Sequence, residues 1–168
     1  MITDLVQIRR LGEQKRSENE RFRQHLKRHD HSDRRLRRFA EKIEDEIDCT
    51  QCANCCRVTE VEITDRDIAH LAKEIGASVA EFHAKYTARA ESGELILKRT
   101  EKGCVFLEGN LCSVYEARPR NCANFPHLVR GEGSIVSRMW RLADRATFCP
   151  IVYNWMEVAK EDAGFKKI

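Results

Sequence analysis

The sequence has no uninterrupted apolar stretch of the roughly 18 to 20 residues that a membrane-spanning helix requires. Charged residues are also scattered through its first twenty positions, where a secretory signal needs an apolar core and a small-residue cleavage site. We therefore expect a cytoplasmic protein with no membrane partner.

Several enzyme signatures are missing as well. The sequence has no glycine-rich phosphate loop, no nucleophile elbow and no metalloprotease helix. The radical-type spacing of three, then two, residues between cysteines is also absent. The net charge of +3 is too small to indicate a nucleic-acid partner by itself. No catalytic residue is assigned on these grounds.

Helix-breaking residues are scarce in the N-terminal segment, residues 1–47. Proline is absent there, and Gly12 is the only glycine. This pattern predicts one long helix or two shorter ones. Apolar residues spaced by three and four between Phe22 and Ile47 form one face, which is polar in its middle at His29 and Asp33. Such a face can dock onto the rest of the chain or join two subunits as a short coiled coil in a homodimer.

The same segment is basic. Eight Lys or Arg and two Asp lie between Arg21 and Arg38. This stripe is either a solvated helix face or a surface for nucleic acid or an acidic protein partner. His25, His29 and His31 lie on it and are interpreted as surface residues.

The remaining residues, 48–168, are predicted to form a small cysteine-rich domain of short strands and helices, so the fold class is α+β. Two stretches, 58–63 and 134–142, alternate apolar and polar residues as a strand does. Pro150 occupies the position of a first helical residue. Two capping-box pairs, which begin helices, are Thr64 with Asp67 and Ser78 with Glu81.

Cysteine is the one chemically distinctive residue type that the chain has in quantity. In a reducing cytoplasm, clustered cysteines are metal ligands or catalytic thiols more often than disulfides. Thiolates are soft ligands, which favour iron–sulfur clusters, zinc or cuprous copper. The eight candidate ligands are Cys49, Cys52, Cys55, Cys56, Cys104, Cys112, Cys122 and Cys149.

The spacing divides these cysteines into two groups. Cys49, Cys52 and Cys55 recur at every third residue, which lets a tight loop direct three thiolates at one centre. Cys149 is the candidate fourth ligand, because bacterial ferredoxin motifs also place a cysteine before a proline, here Pro150. One metal site with spare thiols is the alternative to two sites. The second set would be Cys56, Cys104, Cys112 and Cys122.

Three other roles for the cysteines, as disulfides, as unliganded core residues or as a redox dithiol, fit the sequence less well. Adjacent Cα atoms lie about 3.8 Å apart, below the disulfide range of about 4.4 to 6.8 Å, so Cys55 and Cys56 should not pair with each other. Unliganded cysteines are common in protein cores, but four within eight positions are hard to explain in that way. A thioredoxin-like dithiol at Cys49 and Cys52 lacks the expected strand and helix context. Three arginines flank the cysteines and either offset the negative charge of a thiolate-bound centre or form ordinary exposed salt bridges: Arg57, Arg118 and Arg120.

The order of these motifs resembles the YkgJ-like zinc- or iron-chelating family named for CxxCxxCC. The motif itself reads C-T-Q-C-A-N-C-C from Cys49 to Cys56. A second block resembles C-V-F-L from Cys104, L-C-S-V-Y around Cys112, R-P-R-N-C ending at Cys122, and the Phe-Pro pair that follows. The resemblance implies metal binding by both blocks, with an iron–sulfur oxidoreductase as one described role and zinc as its rival.

These observations lead to two functional hypotheses. The first is an iron–sulfur protein, with a [4Fe-4S] cluster favoured on Cys49, Cys52, Cys55 and Cys149, that passes electrons to an unidentified redox partner. The second is a zinc-stabilised binding module without catalysis, which contacts nucleic acid or a protein through the basic helix.

Overall fold

The computed structural model describes residues 1–166 as helices with short strands, which confirms the α+β class. None of the described helices is both long and apolar enough to cross a membrane. The helices are α1 (Leu5–Gln14), α2 (Arg16–Arg28), α3 (Asp33–Glu46), α4 (Cys49–Cys52), α5 (Asn54–Val58), α6 (Asp65–Glu74), α7 (Val79–Tyr86), α8 (Arg120–Asn124), α9 (Ile135–Arg145) and α10 (Pro150–Asp162). The strands are β1 (Thr87–Arg89), β2 (Leu95–Leu97), β3 (Arg99–Thr100), β4 (Gly103–Cys104), β5 (Leu107–Glu108) and β6 (Leu111–Cys112).

The chain forms two compact units. The helical unit consists of Met1–Asp48 together with Pro126 and the residues that follow it, and the cysteine unit is Cys49–Phe125. The sequence predicted one boundary, between residues 47 and 48, with everything after it in one domain. In the structure the helices after Pro126 group with the N-terminal helices.

The N-terminal segment is helical as expected, but it consists of three helices where the sequence suggested one or two. Lys15 leaves the helical conformation between α1 and α2, at φ −95° and ψ 5°. His29 is extended, at φ −116° and ψ 143°, and ends α2. The Ser32 side chain then accepts a hydrogen bond from the Arg35 amide at 3.3 Å and begins α3. The polar middle of the predicted apolar face coincides with this second break.

Both apolar ends of that face are buried within the helical unit. Helix α3 packs against α10, whose Trp155 is completely buried and donates a hydrogen bond from Nε1 to the Leu36 carbonyl at 3.0 Å. The face therefore docks onto the chain's own helices. Its buried members are Phe22, Leu26, Leu36, Ala40, Ile43 and Ile47.

Gly12 is required by a close approach between backbones. A Cβ at this position would lie 2.5 Å from the Ala146 carbonyl oxygen and 2.6 Å from the Thr147 Cα. Any larger side chain would push α1 away from the end of α9. This approach explains why a glycine stands inside an otherwise regular helix.

A buried ionic network joins the first two helices to α10. Lys160 is completely buried, and its ammonium group donates to Glu18 at 2.5 Å and to Glu157 at 2.8 Å. Lys15 also pairs with Glu157. Two carboxylates therefore surround the buried cation, as burial of a charge requires.

The cysteine unit has its own apolar core between α6, α7 and the hairpins. Both predicted capping boxes are present, at Thr64 with Asp67 and at Ser78 with Glu81, and they begin α6 and α7. Three antiparallel pairs, β1 with β2, β3 with β4 and β5 with β6, form separate two-stranded hairpins. The core residues include Ile68, Leu71, Phe82, Leu97, Phe106 and Val114, with Cys104 and Cys112 packed against them.

The two stretches with alternating polarity are mostly not strands. Residues 134–142 lie largely in α9, whose buried Ile135, Met139 and Leu142 are four and three residues apart. Spacings of four and three place these residues on one face of a helix, whereas a strand face repeats every second residue. The Ser134 side chain caps the Ser137 amide at the start of this helix. In residues 58–63, only an isolated bridge from Glu62 is formed.

Candidate metal centre

The first three motif cysteines lie on two short helices joined by a left-handed residue. Ala53, between α4 and α5, has φ 46° and ψ 17°, and its amide donates to the Cys49 carbonyl at 2.9 Å. A non-glycine residue in this conformation costs roughly 1–2 kcal/mol. The turn separates Cys49 and Cys52, on α4, from Cys55, on α5. Cys49 is exposed, whereas Cys52 and Cys55 are partly buried.

Four other cysteines lie close enough to influence one another's ionisation. The charge of Cys56 raises the pKa of each of the other three thiols. Cys104 and Cys112 both raise the pKa of Cys122 in the same way. These four come from α5, β4, β6 and α8, so the fold unites residues up to 66 positions apart in sequence. They are the cysteines that the sequence grouped as the second set: Cys56, Cys104, Cys112 and Cys122.

The protonation of these thiols differs. Burial, and then the neighbouring thiolates, raise the pKa of Cys104 and of Cys112, and they raise that of Cys122 to about 12. For Cys56, the hydrogen bond from Cys55 outweighs burial, and with Arg57 it lowers the pKa to about 7. Burial and mutual repulsion therefore oppose the simultaneous ionisation of all four thiols. A bound metal supplies a compensating positive charge and deprotonates the thiols that it binds.

Backbone amides also point at two of these sulfur atoms. The Phe106 amide donates to the Cys104 sulfur, and the Val114 amide donates to the Cys112 sulfur. Each donor lies two residues after its cysteine. Hydrogen bonds of this kind stabilise thiolates and are one of the factors that set the reduction potential of a thiolate-bound cluster.

Arg57 ties the motif to the hairpin that carries Cys112. Its guanidinium group donates to the Cys52 carbonyl at 2.8 Å and to the Gly109 carbonyl at 2.9 Å. It also contacts the Asn110 side chain, which in turn donates to the Gln51 carbonyl at 3.1 Å. Arg57 therefore holds the two segments together in addition to lowering the pKa of Cys56.

Arg99 is a second arginine that both holds segments together and acts on a cysteine, and its role is not recognisable from the sequence. Its side chain donates to the Thr59 and Arg57 carbonyls, at the end of α5. It lies opposite Cys104 in the β3–β4 pair and favours the thiolate form of that cysteine. The pairing register, which the sequence does not reveal, is what places it there. Arg118 acts similarly on Cys112 and Cys122, as its position in sequence suggested.

Gly103 lets the β3–β4 hairpin reach α5. Its φ is +122°, and a Cβ would lie 2.6 Å from the Cys56 carbonyl oxygen and 2.8 Å from the Arg57 Cα. Only glycine combines this conformation with this contact. Gly103 therefore fixes the distance between Cys104 and the motif.

A family model matches residues 48–150 and is named CxxCxxCC, "Putative zinc- or iron-chelating domain". The match covers more than half of the chain. The chain belongs to the CxxCxxCC family. This membership confirms the resemblance found in the sequence. The family description supports metal binding through this region, which contains all eight cysteines. No curated protein and no solved structure matches the chain.

The CxxCxxCC match includes Cys149, which lies in the helical unit. It is buried and precedes Pro150, the first residue of α10, as the sequence predicted. Its assignment as the fourth ligand beside Cys49, Cys52 and Cys55 stays a prediction. The ligand role of each of the eight cysteines likewise stays a prediction.

The donor set of this CxxCxxCC protein fits a thiophilic metal. None of the eight cysteines, all of which lie within residues 1–166, forms a disulfide. Each of the four grouped thiols has an arginine near it, and Cys104 and Cys112 also accept hydrogen bonds from backbone amides. Within residues 1–166, no group of three or more His, Cys, Asp or Glu side chains is placed to hold a metal ion as it stands. Metal binding would therefore draw the thiols of this group closer together.

Helix α8 is held in place by two contacts that the sequence did not predict. The Arg120 amide donates to the Asp67 carboxylate at 3.1 Å, and the Asn121 side chain donates to the Glu62 carbonyl at 3.1 Å. Both contacts join α8 to the segment that begins α6. They fix the position from which Cys122 approaches the other three thiols.

Proposed function

We propose that the protein holds an iron–sulfur cluster on its cysteine thiolates, with a [4Fe-4S] cluster favoured, and that it transfers electrons. The observation that carries the proposal is the grouping of four thiols from four separate segments: Cys56, Cys104, Cys112 and Cys122. Complete four-cysteine sets are the usual ligands of such clusters. The repeat at Cys49, Cys52 and Cys55 resembles the cysteine runs of bacterial ferredoxins and supports iron as the metal.

The protein would tune the cluster through three features of the cysteine unit. Apolar residues such as Phe106 and Val114 pack around Cys104 and Cys112 and limit access of water. The amides of the same two residues donate to the sulfur atoms. Arg57, Arg99 and Arg118 compensate negative charge. Burial, hydrogen bonds to sulfur and net charge are the factors that set cluster potentials.

The cluster is tested by purifying the full chain without oxygen. Visible absorption should show a broad sulfur-to-iron band that is bleached by dithionite, and analysis should find iron and acid-labile sulfide in equal amounts. Cys104→Ser and Cys112→Ser should each lose most of this signal. Leu111→Ser, at an exposed neighbour of Cys112, is the matched control and should keep it. A colourless protein with stoichiometric zinc would contradict the proposal.

Zinc in a purely structural role is the second candidate. It is favoured by the same four-thiol group, because structural zinc sites are closed sets of four thiolates or imidazoles. In that case the metal would contribute to folding, and a chelator should remove the helical circular dichroism of the cysteine unit. Full retention of the signal after complete metal removal would exclude this role.

A further inference from the structure

Three histidines gather at the end of α2, in the helical unit and outside the residues matched to the CxxCxxCC family. The ring centroids of His25 and His29 are 4.3 Å apart, those of His25 and His31 are 5.5 Å apart, and those of His29 and His31 are 6.4 Å apart. The sequence pattern predicts surface residues at all three positions. His29 is exposed, but His25 and His31 are partly buried.

These separations suit a shared metal ion. Three imidazoles that bind one ion at about 2.0–2.1 Å place their ring centroids roughly 5 Å apart. The three observed distances between ring centroids include one below and two above this expected separation. Within residues 1–166, no three His, Cys, Asp or Glu side chains are placed to hold a metal ion as they stand, so binding requires the imidazole rings to rotate about their side-chain torsions. His29 lies in the turn between α2 and α3 and is exposed, so its ring has room to rotate.

One ring nitrogen of His31 and one of His25 have hydrogen-bonding arrangements that favour metal binding. The Nε2 atom of His31 is buried and has no hydrogen-bond partner among the described residues, which is costly for a polar atom. A ring N–H of His25 donates to the Ala163 carbonyl, so the second nitrogen of the neutral ring is an acceptor. Metal-binding histidines almost always donate their other N–H in this way.

Aromatic rings cover one side of the histidine cluster. Phe22 stacks on one side of His25 at 6.4 Å between centroids, and Phe165 meets it edge-on at 5.4 Å. These two rings limit the access of water to that side of the cluster.

We propose that His25, His29 and His31 form a second metal site, which takes a divalent transition-metal ion that prefers imidazole, such as Zn²⁺, Ni²⁺ or Co²⁺. The carbonyl end of α2 attracts cations through its dipole. Lys27 and Arg28, in the same turn, oppose this attraction, so the ligands must supply the binding energy. The site does not depend on which metal the cysteines hold.

The experiment is a titration of the full chain with Co²⁺ after its cysteine sites have been filled and its metal content measured. We expect one further equivalent of Co²⁺, with weak visible bands typical of nitrogen and oxygen ligands and no new sulfur-to-cobalt charge-transfer band. His29→Gln, which changes an exposed residue, should weaken this binding by more than the roughly 10- to 100-fold that follows loss of an outer-shell partner. His25→Gln with His31→Gln should abolish it.

The matched control is the double variant His70→Gln with His83→Gln, two exposed histidines of the cysteine unit, which should bind Co²⁺ as the unaltered chain does. Circular dichroism of each variant establishes that α2 is still formed. The proposal is overturned if no further equivalent binds, if the further equivalent carries a sulfur charge-transfer band, or if folded His29→Gln binds Co²⁺ as tightly as the control.

Discussion

Two glycines of the cysteine unit, Gly103 and Gly109, share a positive φ but differ in their surroundings. Their φ values are +122° and +62°, and only a Cβ placed at Gly103 would clash with backbone atoms, those of Cys56 and Arg57. Nothing lies within 4 Å of a Cβ placed at Gly109. A comparison of Gly103→Ala with Gly109→Ala therefore separates the free-energy cost of the backbone conformation from the effect of pushing Cys104 away from the motif.

We predict that Gly103→Ala lowers both the metal content and the stability of the protein. The backbone conformation alone costs roughly 1–3 kcal/mol, and the clash with α5 adds to it. Gly109→Ala should lose stability through the backbone term only and should bind metal normally. Urea unfolding and metal analysis of the two variants provide the measurement. Equal metal content in both would contradict the assigned role of Gly103.

The thiol of Cys56 should be the most reactive of its group in metal-free protein. Its pKa is lowered to about 7, whereas that of Cys122 is raised to about 12. The thiolate is the nucleophile, so alkylation of Cys56 by iodoacetamide should increase as pH rises through 7, while Cys122 stays unreacted.

Peptide mass analysis after short exposure at pH 6, 7 and 8 measures the modification of each cysteine. Arg57→Gln should shift the midpoint for Cys56 to higher pH, because it removes a cation that favours the thiolate. Modification of Cys122 before Cys56 would contradict the described electrostatics.

At the scale of whole elements, the packing of α10 depends on a buried charge. Burial alone would raise the pKa of Glu157, but Lys15 and Lys160 outweigh it and lower the pKa to about 2. A carboxylate with a lowered folded-state pKa stabilises the protein above its unfolded pKa, here 4.5. This contribution is lost as pH falls through 4.5 towards 2.

We therefore predict that the free energy of unfolding falls between pH 5 and pH 2, with up to about 3 kcal/mol attributable to Glu157. Glu157→Gln should be less stable at neutral pH and should show a flatter dependence over this range. Urea unfolding at several pH values measures both effects. Glu161→Gln, at an exposed position of the same helix, should follow the unaltered chain. An unchanged slope in Glu157→Gln would count against the network.

The basic stripe between residues 21 and 38 is partly used inside the protein. Arg23 pairs with Glu20, and Arg37 pairs with Asp33 at 2.6 Å while donating to the Val129 carbonyl at 2.6 Å. These contacts leave fewer arginines for an outside partner than the sequence suggests. Contact with nucleic acid or an acidic protein stays a prediction, as does a homodimer through this segment.

Local signals in the sequence predicted the elements that depend on neighbouring residues. The capping boxes before α6 and α7 and the proline that begins α10 are each recognisable from no more than four consecutive residues. Helix α9 was not predicted, because the apparent alternation of residues 134–142 was interpreted as a strand, although its buried residues are spaced four and three apart as in a helix. The break at His29 was also missed, since a polar interruption of an apolar face is compatible with a continuous helix.

At the scale of the whole molecule, the sequence identified the candidate ligands but not the contacts that gather them. The cysteine spacing and the family motif indicated metal binding before any geometry was known. Arg99 and Gly103 could not be recognised, because their roles depend on the register of the β3–β4 hairpin and on its approach to α5. The grouping of the three histidines depends likewise on the turn between α2 and α3.

The central claim is that cysteine thiolates bind the metal, and X-ray absorption at the metal edge tests it most directly. The full chain, purified without oxygen, should show an inner coordination shell made of sulfur. A variant with serine at positions 56, 104, 112 and 122 should lose metal in proportion to the sites removed. An inner shell of nitrogen and oxygen alone in the unaltered chain, or undiminished metal in that variant, would contradict the claim.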